Sequence, residues 1–422
     1  AASDVYKRQY IEFEERNLIM ELLERFLNYV KIDTMSDDTT GLTPSTNKQY
    51  VLANKLHDEL EALGLTALVN DKCTVYATLK ANKEGMDKIG LLAHMDTIPE
   101  VSGTNVKPQV IENYTGGIIK LGNGEVLDPN QFEALKKEIG HTIVTTSGDT
   151  VLGCDDKGGI AVIMTVLEEI IKENLPHGEI HVAFTPDEEI GTGILSFDTD
   201  LFPVDYAYTI DGEEYEEFSY ENFNASSATV KIKGFEIHPG AAKGKMINAA
   251  KVAMEFASLL PQAECPEYTD GYDGFNHLTE IKGNTSEATM HYILRNHDSS
   301  KLKKQKQDFV NAYSFINKKY GEGTCILDIT DSYRNMREII DNDMRSVNKA
   351  LKAYHEEGID VKVVPTRGGT DGARLTFMGI CTPNIGTGGY NCHGIHEYAD
   401  ITEMAKICLL YTSPSPRDRQ KS

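Results

Sequence analysis

The chain has 422 residues, 40 % of them hydrophobic, which is enough for one large domain or two ordinary ones. Its formal net charge of −23 argues against a nucleic-acid partner and against adsorption to an anionic membrane, because both need a basic surface. No apolar run approaches the roughly 20 residues that span a bilayer, and no signal peptide is evident, so we expect a soluble, cytoplasmic protein.

Both ends of the chain break the patterns beside them. Residues 1–9 (AASDVYKRQ) and 410–422 (LYTSPSPRDRQKS) resemble translated adapter sequence more than native protein. We therefore predict that these two ends are non-native, and we leave them out of the predicted fold.

Helical and strand patterns alternate along the first half of the chain. The predicted elements are helices over 10–31 and 47–64, strands over 73–79 and 89–94, short strands within 100–150, a helix that opens at Gly158, and strands over 179–185 and 206–210. Strand, helix and strand in this order predict an α/β fold with a mostly parallel sheet and helices on both faces.

The pattern changes over residues 223–332. Strand, helix, two strands, helix and strand follow one another there, which is the ferredoxin-like order. After this segment the α/β pattern resumes, with a helix over 334–357, a strand over 360–364 and glycine-rich loops. The sequence therefore predicts an inserted α+β lid domain over 223–332, within a discontinuous main domain made of residues 10–222 and 333–409.

Possible metal ligands lie at the ends of predicted core segments. Each has an ordinary alternative: an aspartate before a helix can be an N-cap, and adjacent glutamates usually form a solvated turn. Several such residues at the strand ends of one α/β domain nevertheless predict a metal site, because this is where such sheets place their ligands. The residues are His94, Asp155, Glu189, Asp211 and His393.

In the segments that carry these residues, the sequence resembles the M20 family of metallopeptidases, and within it the tripeptide aminopeptidases. The matching segments occur in the family's order and cover nearly the whole chain between the two ends. They are LLAHMDT (91–97), LGCDDKGGIA (152–161), FTPDEEIG (184–191), TIDG (209–212), IHPGAAKG (237–244), RGGTDG (367–372) and TGGYNCHGIHE (387–397).

The resemblance implies a centre with two Zn²⁺ ions per subunit, so that the main domain is the catalytic one. Asp155 is implied to bridge the two ions. His94 and Asp211 are implied to complete the coordination of one ion, and Glu189 and His393 that of the other. Imidazole and carboxylate are suitable zinc ligands.

The resemblance also implies catalytic roles for three further residues. Glu188 is implied to be the general base, which takes a proton from the attacking water and gives it to the leaving amine. Asp96 is implied to orient His94, and His238 to stabilise the oxyanion of the tetrahedral intermediate.

Two arginines could bind the carboxylate of a peptide by bidentate pairing. Arg295 ends a predicted strand of the inserted domain, and Arg367 lies in a glycine-rich loop. The alternative for both is a surface ion pair.

The activity implied is removal of the N-terminal residue from tripeptides by metal-activated water. A dipeptidase or an N-acyl-amino-acid amidohydrolase of the same family is the first alternative, because the metal chemistry is shared. A peptide- or metal-binding protein without catalysis is the second, against which the intact Glu188 argues. The implied partners are small peptide substrates and a second copy of the chain, which would form a homodimer through the inserted domain.

Overall fold

The computed structural model describes the backbone of residues 2–412 and the side chains of residues 16–412. Contacts between Cα atoms divide the chain into two compact units. Unit 1 contains the described residues up to Tyr220, Ile339–Val364 and those from Thr370 onward, and unit 2 contains Glu221–Glu338 and Pro365–Gly369. Unit 2 begins slightly before the predicted inserted domain, ends slightly after it and includes Pro365–Gly369, which the prediction gave to the main domain.

The predicted non-native ends are only partly described. Residue 1 and residues 413–422 lie outside the described residues, and so do the side chains of residues 2–9. The foreign origin of both ends therefore stays a prediction.

The described helices are α1 (Ala2–Val30), α2 (Gln49–Ala62), α3 (Cys154–Lys172), α4 (Ala249–Ser258), α5 (Ser299–Tyr320), α6 (Arg337–Ile340), α7 (Arg345–Glu356), α8 (Asp371–Phe377) and α9 (Ile401–Thr412). Most of them lie where the sequence pattern predicts a helix. The single helix predicted over 334–357 is wrong. The chain turns after α6, where the backbone N–H groups of Asn342 and Asp343 donate to the carbonyls of Ile339 and Ile340 at 3.0 and 2.9 Å, and α7 begins only at Arg345. Among these described helices, no stretch is long and apolar enough to cross a membrane.

The strands form one large sheet and three smaller ones. They are β1 (Thr66–Val69), β2 (Val75–Leu79), β3 (Ile89–His94), β4 (Gln109–Ile111), β5 (Ile119–Lys120), β6 (Val126–Leu127), β7 (Ile143–Thr145), β8 (Ile180–Thr185), β9 (Tyr206–Ile210), β10 (Glu217–Ser219), β11 (Asn224–Lys233), β12 (Phe275–Gly283), β13 (Glu287–Asn296), β14 (Cys325–Tyr333), β15 (Lys362–Val363), β16 (Asn384–Ile385), β17 (Gly389–Tyr390) and β18 (Tyr398–Asp400).

The eight-stranded sheet of unit 1 has the order β1-β2-β8-β3-β9-β16-β10-β15. Its central strands β8, β3, β9 and β16 pair in parallel, and every residue of β8 and β9 is buried. Strands covered on both faces have such continuous apolar runs. The helix α3 packs against β3 and β9, which confirms the predicted α/β architecture.

The parallel register determines which residues can meet at the edge of this sheet. His94 at the end of β3 is aligned with Thr185 at the end of β8, and Leu92 is aligned with Thr209 in β9. Because parallel strands end at one edge, the residues that follow these strands lie next to one another.

Unit 2 has one antiparallel sheet with the order β12-β13-β11-β14. The helices α4 and α5 pack against it, and their apolar faces join those of the strands in one core. Along the chain the elements are β11, α4, β12, β13, α5 and β14, the βαββαβ order that the sequence predicts.

Unit 1 has a second, smaller sheet with the order β17-β18-β7-β4, and residues of this sheet belong to an apolar cluster. A buried glutamate, Glu138, binds a tyrosine of this cluster. Glu138 is 1 % exposed, and its Oε1 accepts a hydrogen bond from the Tyr398 hydroxyl at 2.9 Å. Burial, with Asp400 and further carboxylates nearby, raises the pKa of the Glu138 carboxyl from its ordinary 4.5 to about 8. The folded protein therefore holds a proton there that the unfolded chain releases near pH 4.5.

This proton makes stability depend on pH in metal-free buffer. Because the pKa is raised in the folded state, the folded protein binds more protons than the unfolded chain between about pH 4.5 and about pH 8. The stabilisation that Glu138 gives is therefore fully present below about pH 4.5, and it is lost as the pH rises to about 8. Glu138→Gln cannot titrate, so the melting temperatures at about pH 5 and about pH 9 should differ less in the variant than in the unmodified protein. Glu133→Gln, at an exposed position nearby, is the matched control. Equal pH dependence in Glu138→Gln and the unmodified protein would contradict the assignment.

Candidate active site

The candidate active site lies in unit 1, at the edge where the central parallel strands end. Asp155 is at its centre. Its Oδ1 lies 2.8 Å from Nε2 of His94, and its Oδ2 lies 3.1 Å from Nε2 of His393. The same nitrogen of His393 lies 3.1 Å from Oε2 of Glu189. The two oxygens of one carboxylate thus face two different histidines.

A second grouping shares His94. Donor atoms of His94, Asp156 and Asp211 lie within 4.8 Å of one another, as do donor atoms of His94, Asp155 and Glu189. The structure therefore brings together all five residues that were predicted as metal ligands. Their roles as ligands stay a prediction.

The chain around Asp155 departs from a regular helix. The peptide bond between Asp155 and Asp156 is cis, and both residues have non-helical backbone angles although they lie within the bounds of α3. The Asp156 carboxylate accepts the backbone N–H of His94 at 3.2 Å and that of Gly159 at 3.1 Å. Asp156 therefore connects the end of β3 to the start of the regular part of α3.

Asp96 contacts both the histidine and the glutamate pair. Its Oδ1 lies 3.4 Å from Nδ1 of His94 and accepts the backbone N–H of Glu188 at 2.9 Å. Its Oδ2 accepts the backbone N–H of Glu189 at 3.3 Å. Asp96 is fully buried, so these contacts position the backbone of both glutamates. The orientation of His94 by Asp96 stays a prediction, and the structure adds that Asp96 also binds the backbone of Glu188 and Glu189.

Asp187 is a positioning residue that sequence reasoning missed. It is fully buried, and its carboxylate accepts the backbone N–H of Ser45 at 2.7 Å, the Ser45 hydroxyl at 2.6 Å and the side-chain amide of Gln49 at 2.6 Å. Its backbone has a positive φ of 53°. The acidic run Asp187-Glu188-Glu189 was visible in the sequence, but the partners of its first member lie far away in the chain.

Glu397 is the second residue that was missed. Its Oε2 accepts the backbone N–H groups of Leu152 at 2.7 Å and Gly153 at 2.9 Å, and its Oε1 accepts that of Asp155 at 3.1 Å. The side chain is 1 % exposed. Glu397 thus holds the loop that presents Asp155. Glu397 ends the matching segment TGGYNCHGIHE (387–397), but the sequence does not show its partners, because all three are main-chain groups.

Burial raises the pKa of several carboxyl groups in this cluster, and neighbouring carboxylates add to the effect. Asp155 is the exception: burial acts in the same direction there, but its hydrogen bonds to His393 and His94 outweigh burial and lower its pKa. The pKa rises to about 7 for Glu189 and Asp371, to about 6 for Asp211, and well above its ordinary range for Glu188. The imidazoles of His94 and His393 lie among these groups. Buried carboxyl groups that resist ionisation, mixed with imidazoles, form a donor set that fits divalent cations, because a cation stabilises the ionised carboxylates.

Three predicted site residues lie in unit 2. His238 is exposed, and its Nδ1 accepts the backbone N–H of Gly240 at 3.2 Å. Arg295 donates through Nη1 to the carbonyls of Ser226 and Leu294 at 3.2 and 3.0 Å. The guanidinium of Arg295 also lies 5.3 Å from the ring centroid of Tyr333. Substrate binding by His238 and Arg295 stays a prediction.

Arg367 is bound within unit 2. Its Nη1 donates to the carbonyls of Gly271 at 2.7 Å and Asp273 at 2.9 Å, and its guanidinium lies 5.1 Å from the ring centroid of Phe223. These contacts hold the loop at 269–273. Their acceptors are main-chain carbonyls rather than the carboxylate of a surface ion pair, and the role of Arg367 in substrate binding stays a prediction.

Comparison with known proteins identifies the family. A model described as peptidase family M20/M25/M40 matches residues 142–413. The chain belongs to the M20 peptidase family. A curated relative from Clostridium perfringens (strain SM101 / Type A), named Peptidase T, is 49 % identical over 386 residues, which cover 91 % of this chain and 95 % of the relative.

Solved structures of peptidases share the fold. A tripeptidase from Staphylococcus aureus matches with a TM-score of 0.75 at 21 % identity, covering 93 % of this chain and 98 % of that one. Aminopeptidase PepT from Bacillus cereus ATCC 10987 matches with a TM-score of 0.74 at 21 % identity, covering 93 % and 97 %.

Family membership confirms the predicted class of enzyme. The chain is a hydrolase that acts on peptide bonds, and an aminopeptidase. M20 peptidases are metal-dependent, which agrees with the donor cluster around Asp155.

Proposed function

We propose that this M20 peptidase releases the N-terminal residue from tripeptides and uses two zinc ions per subunit. One observation supports the two-ion centre above all: the carboxylate of Asp155 faces His94 with one oxygen and His393 with the other. A carboxylate so placed suits a bridging ligand. The names of the relatives, which include a tripeptidase, support the substrate class.

The proposed chemistry assigns each donor a task. One zinc ion would be held by Asp155, His94 and Asp211 and the other by Asp155, Glu189 and His393, and together they would polarise the scissile carbonyl and make water acidic enough to attack near neutral pH. Asp96 holds the segment that carries both glutamates through their backbone N–H groups.

Glu188 is the proposed general base. Its carboxylate takes a proton from the attacking water and gives it to the amine that leaves. Burial raises the pKa of this carboxyl well above its ordinary range. Bound cations would favour the ionised form of this carboxyl, which is the form that accepts a proton.

Recognition of the peptide is assigned to unit 2. His238 is proposed to stabilise the oxyanion, and Arg295 to pair with the substrate carboxylate, since a guanidinium binds a carboxylate through two parallel hydrogen bonds. Arg367 is a weaker proposal for the same task because two main-chain carbonyls already bind its Nη1.

The substrate class can be tested by product analysis. The zinc-loaded protein is incubated with a tripeptide, the same tripeptide with an acetylated N-terminus, the matching dipeptide and an N-acyl amino acid. We expect release of the first residue from the unblocked tripeptide, little reaction with the others, and loss of activity with a chelator. Preferred cleavage of the dipeptide or the N-acyl amino acid would overturn the tripeptide proposal and support the corresponding alternative.

A homodimer through unit 2 and a cytoplasmic location are also proposed. The dimer rests on the resemblance to related enzymes, and the location on composition. Light scattering of the purified protein should give the mass of two chains, and the mass of one chain would refute the dimer.

A further inference from the structure

A second group of metal-binding side chains lies in unit 1 and shares no residue with the candidate active site. Donor atoms of His141, Asp400 and Glu403 lie within 4.8 Å of one another. Asp400 is fully buried, Glu403 is 5 % exposed, and the side chain of His141 is 20 % exposed. His141 precedes β7, Asp400 ends β18, and Glu403 lies in the first turn of α9. The group therefore sits where three elements meet.

The hydrogen bonds inside the group do not use all the lone pairs of its carboxylate oxygens. Nδ1 of His141 lies 2.5 Å from Oδ2 of Asp400, whose Oδ1 accepts the backbone N–H of Glu403 at 3.0 Å. Oε2 of Glu403 accepts the hydroxyl of Tyr390 at 2.6 Å. Each carboxylate oxygen has further lone pairs with which it could bind a cation.

Glu138 supplies an independent observation. Its side chain is 1 % exposed, its Oε1 accepts the Tyr398 hydroxyl, and its Oε2 has no hydrogen-bond partner among the described residues. The ring of Tyr398, which binds Glu138, stacks on the ring of Tyr390, whose hydroxyl binds Glu403, so this pair of tyrosines connects the Glu138 carboxyl to the group. A buried carboxylate oxygen without a partner is unfavourable, and a nearby cation would relieve it.

The charges in this region do not balance. Glu138, Asp400 and Glu403 together carry three negative charges when they are ionised. His141 can offset one of them. Lys406 can offset another from the edge of the group, where its Nζ lies 4.4 Å from the ring centroid of Tyr215.

The surroundings make this imbalance more unfavourable. An apolar cluster borders the group, and it includes the rings of Tyr390 and Tyr398, which stack with centroids 4.9 Å apart. Uncompensated charge beside such a cluster is poorly solvated. Either protons or a bound cation must therefore neutralise the carboxylates.

We propose that this group binds a divalent transition-metal ion, with His141, Asp400 and Glu403 as ligands and Glu138 near the ion. One imidazole with carboxylates suits Zn²⁺ or Mn²⁺ better than Mg²⁺ or Ca²⁺, which prefer oxygen ligands alone. The ion would join the segment before β7 to the junction of β18 and α9. Its role is structural, and it is additional to any ions in the active site.

Metal stoichiometry tests the proposal in the full chain. Protein stripped with a chelator and dialysed against Zn²⁺ is analysed by elemental mass spectrometry. We expect His141→Gln/Glu403→Gln to bind one equivalent less than the unmodified protein, and the exposed control Glu133→Gln to bind the same amount. Equal zinc content in the double variant and the unmodified protein would overturn the proposal, and protons would then neutralise the group.

A second measurement keeps the test valid if the double variant does not fold. His94→Gln/Asp155→Asn removes two predicted active-site ligands and leaves the second group intact. We expect this variant to retain one equivalent of zinc and to melt at a higher temperature with zinc than without it. Absence of bound zinc, or bound zinc that persists when His141→Gln and Glu403→Gln are added, would refute the site.

Discussion

Replacing Glu188 by glutamine should abolish peptide hydrolysis and leave metal binding intact. Glutamine has nearly the same size but cannot accept the proton of the attacking water. Loss of a general base lowers kcat by about 10²- to 10⁴-fold, which corresponds to roughly 3–5 kcal/mol of transition-state stabilisation. The backbone N–H of residue 188 still binds Asp96 Oδ1, so the segment keeps its position. The measurements are kcat with a tripeptide and zinc content by elemental analysis.

Glu189→Gln is the matched comparison, because it changes the adjacent residue in the same chemical way. Oε2 of Glu189 lies 3.1 Å from Nε2 of His393, and the side chain is 7 % exposed. Loss of its charge should weaken zinc binding, and excess zinc should restore part of the activity. For Glu188→Gln we expect no such recovery. If the two variants exchange these behaviours, the roles of base and ligand are reversed.

The central fold could be predicted because its strands are apolar throughout. β3 spans Ile89–His94, as predicted, since strands covered on both faces leave a continuous apolar run in the sequence. The prediction of a single helix over 334–357 was wrong for a local reason. The backbone N–H groups of Asn342 and Asp343 bond the carbonyls of Ile339 and Ile340, three residues back, and such a turn leaves no trace in apolar periodicity.

The predicted ligands could be located from the sequence for the same reason, whereas the residues that support them could not. His94 is the last residue of β3, and Asp211 directly follows β9, so the pattern that predicts each strand also places the predicted ligand at its end. Asp187 and Glu397 act through hydrogen bonds to residues far away in the chain. Only the folded structure shows which main-chain groups they reach.

Glu397→Gln should weaken zinc binding, because Glu397 holds the loop that presents Asp155. The carboxylate accepts three backbone N–H groups, from Leu152, Gly153 and Asp155. An amide has one accepting end, so its NH₂ group must face at least one of these donors. The buried N–H group that loses its acceptor destabilises the native loop by about 1–3 kcal/mol. We expect zinc affinity to fall by about 10- to 100-fold, as is typical when a group that supports a ligand is changed.

Zinc affinity distinguishes positioning from a purely structural effect. If Glu397 only stabilises the fold, the variant melts at a lower temperature, yet its folded fraction binds zinc as tightly as the unmodified protein. If Glu397 positions Asp155, zinc affinity falls, and saturating zinc restores kcat with little change in KM. Glu125→Gln is the control, since Glu125 is half exposed and contacts His396 in the same loop at 3.3 Å. That variant should retain normal zinc affinity, because Glu125 contacts His396, whereas the backbone N–H groups of Leu152, Gly153 and Asp155 are bound by Glu397.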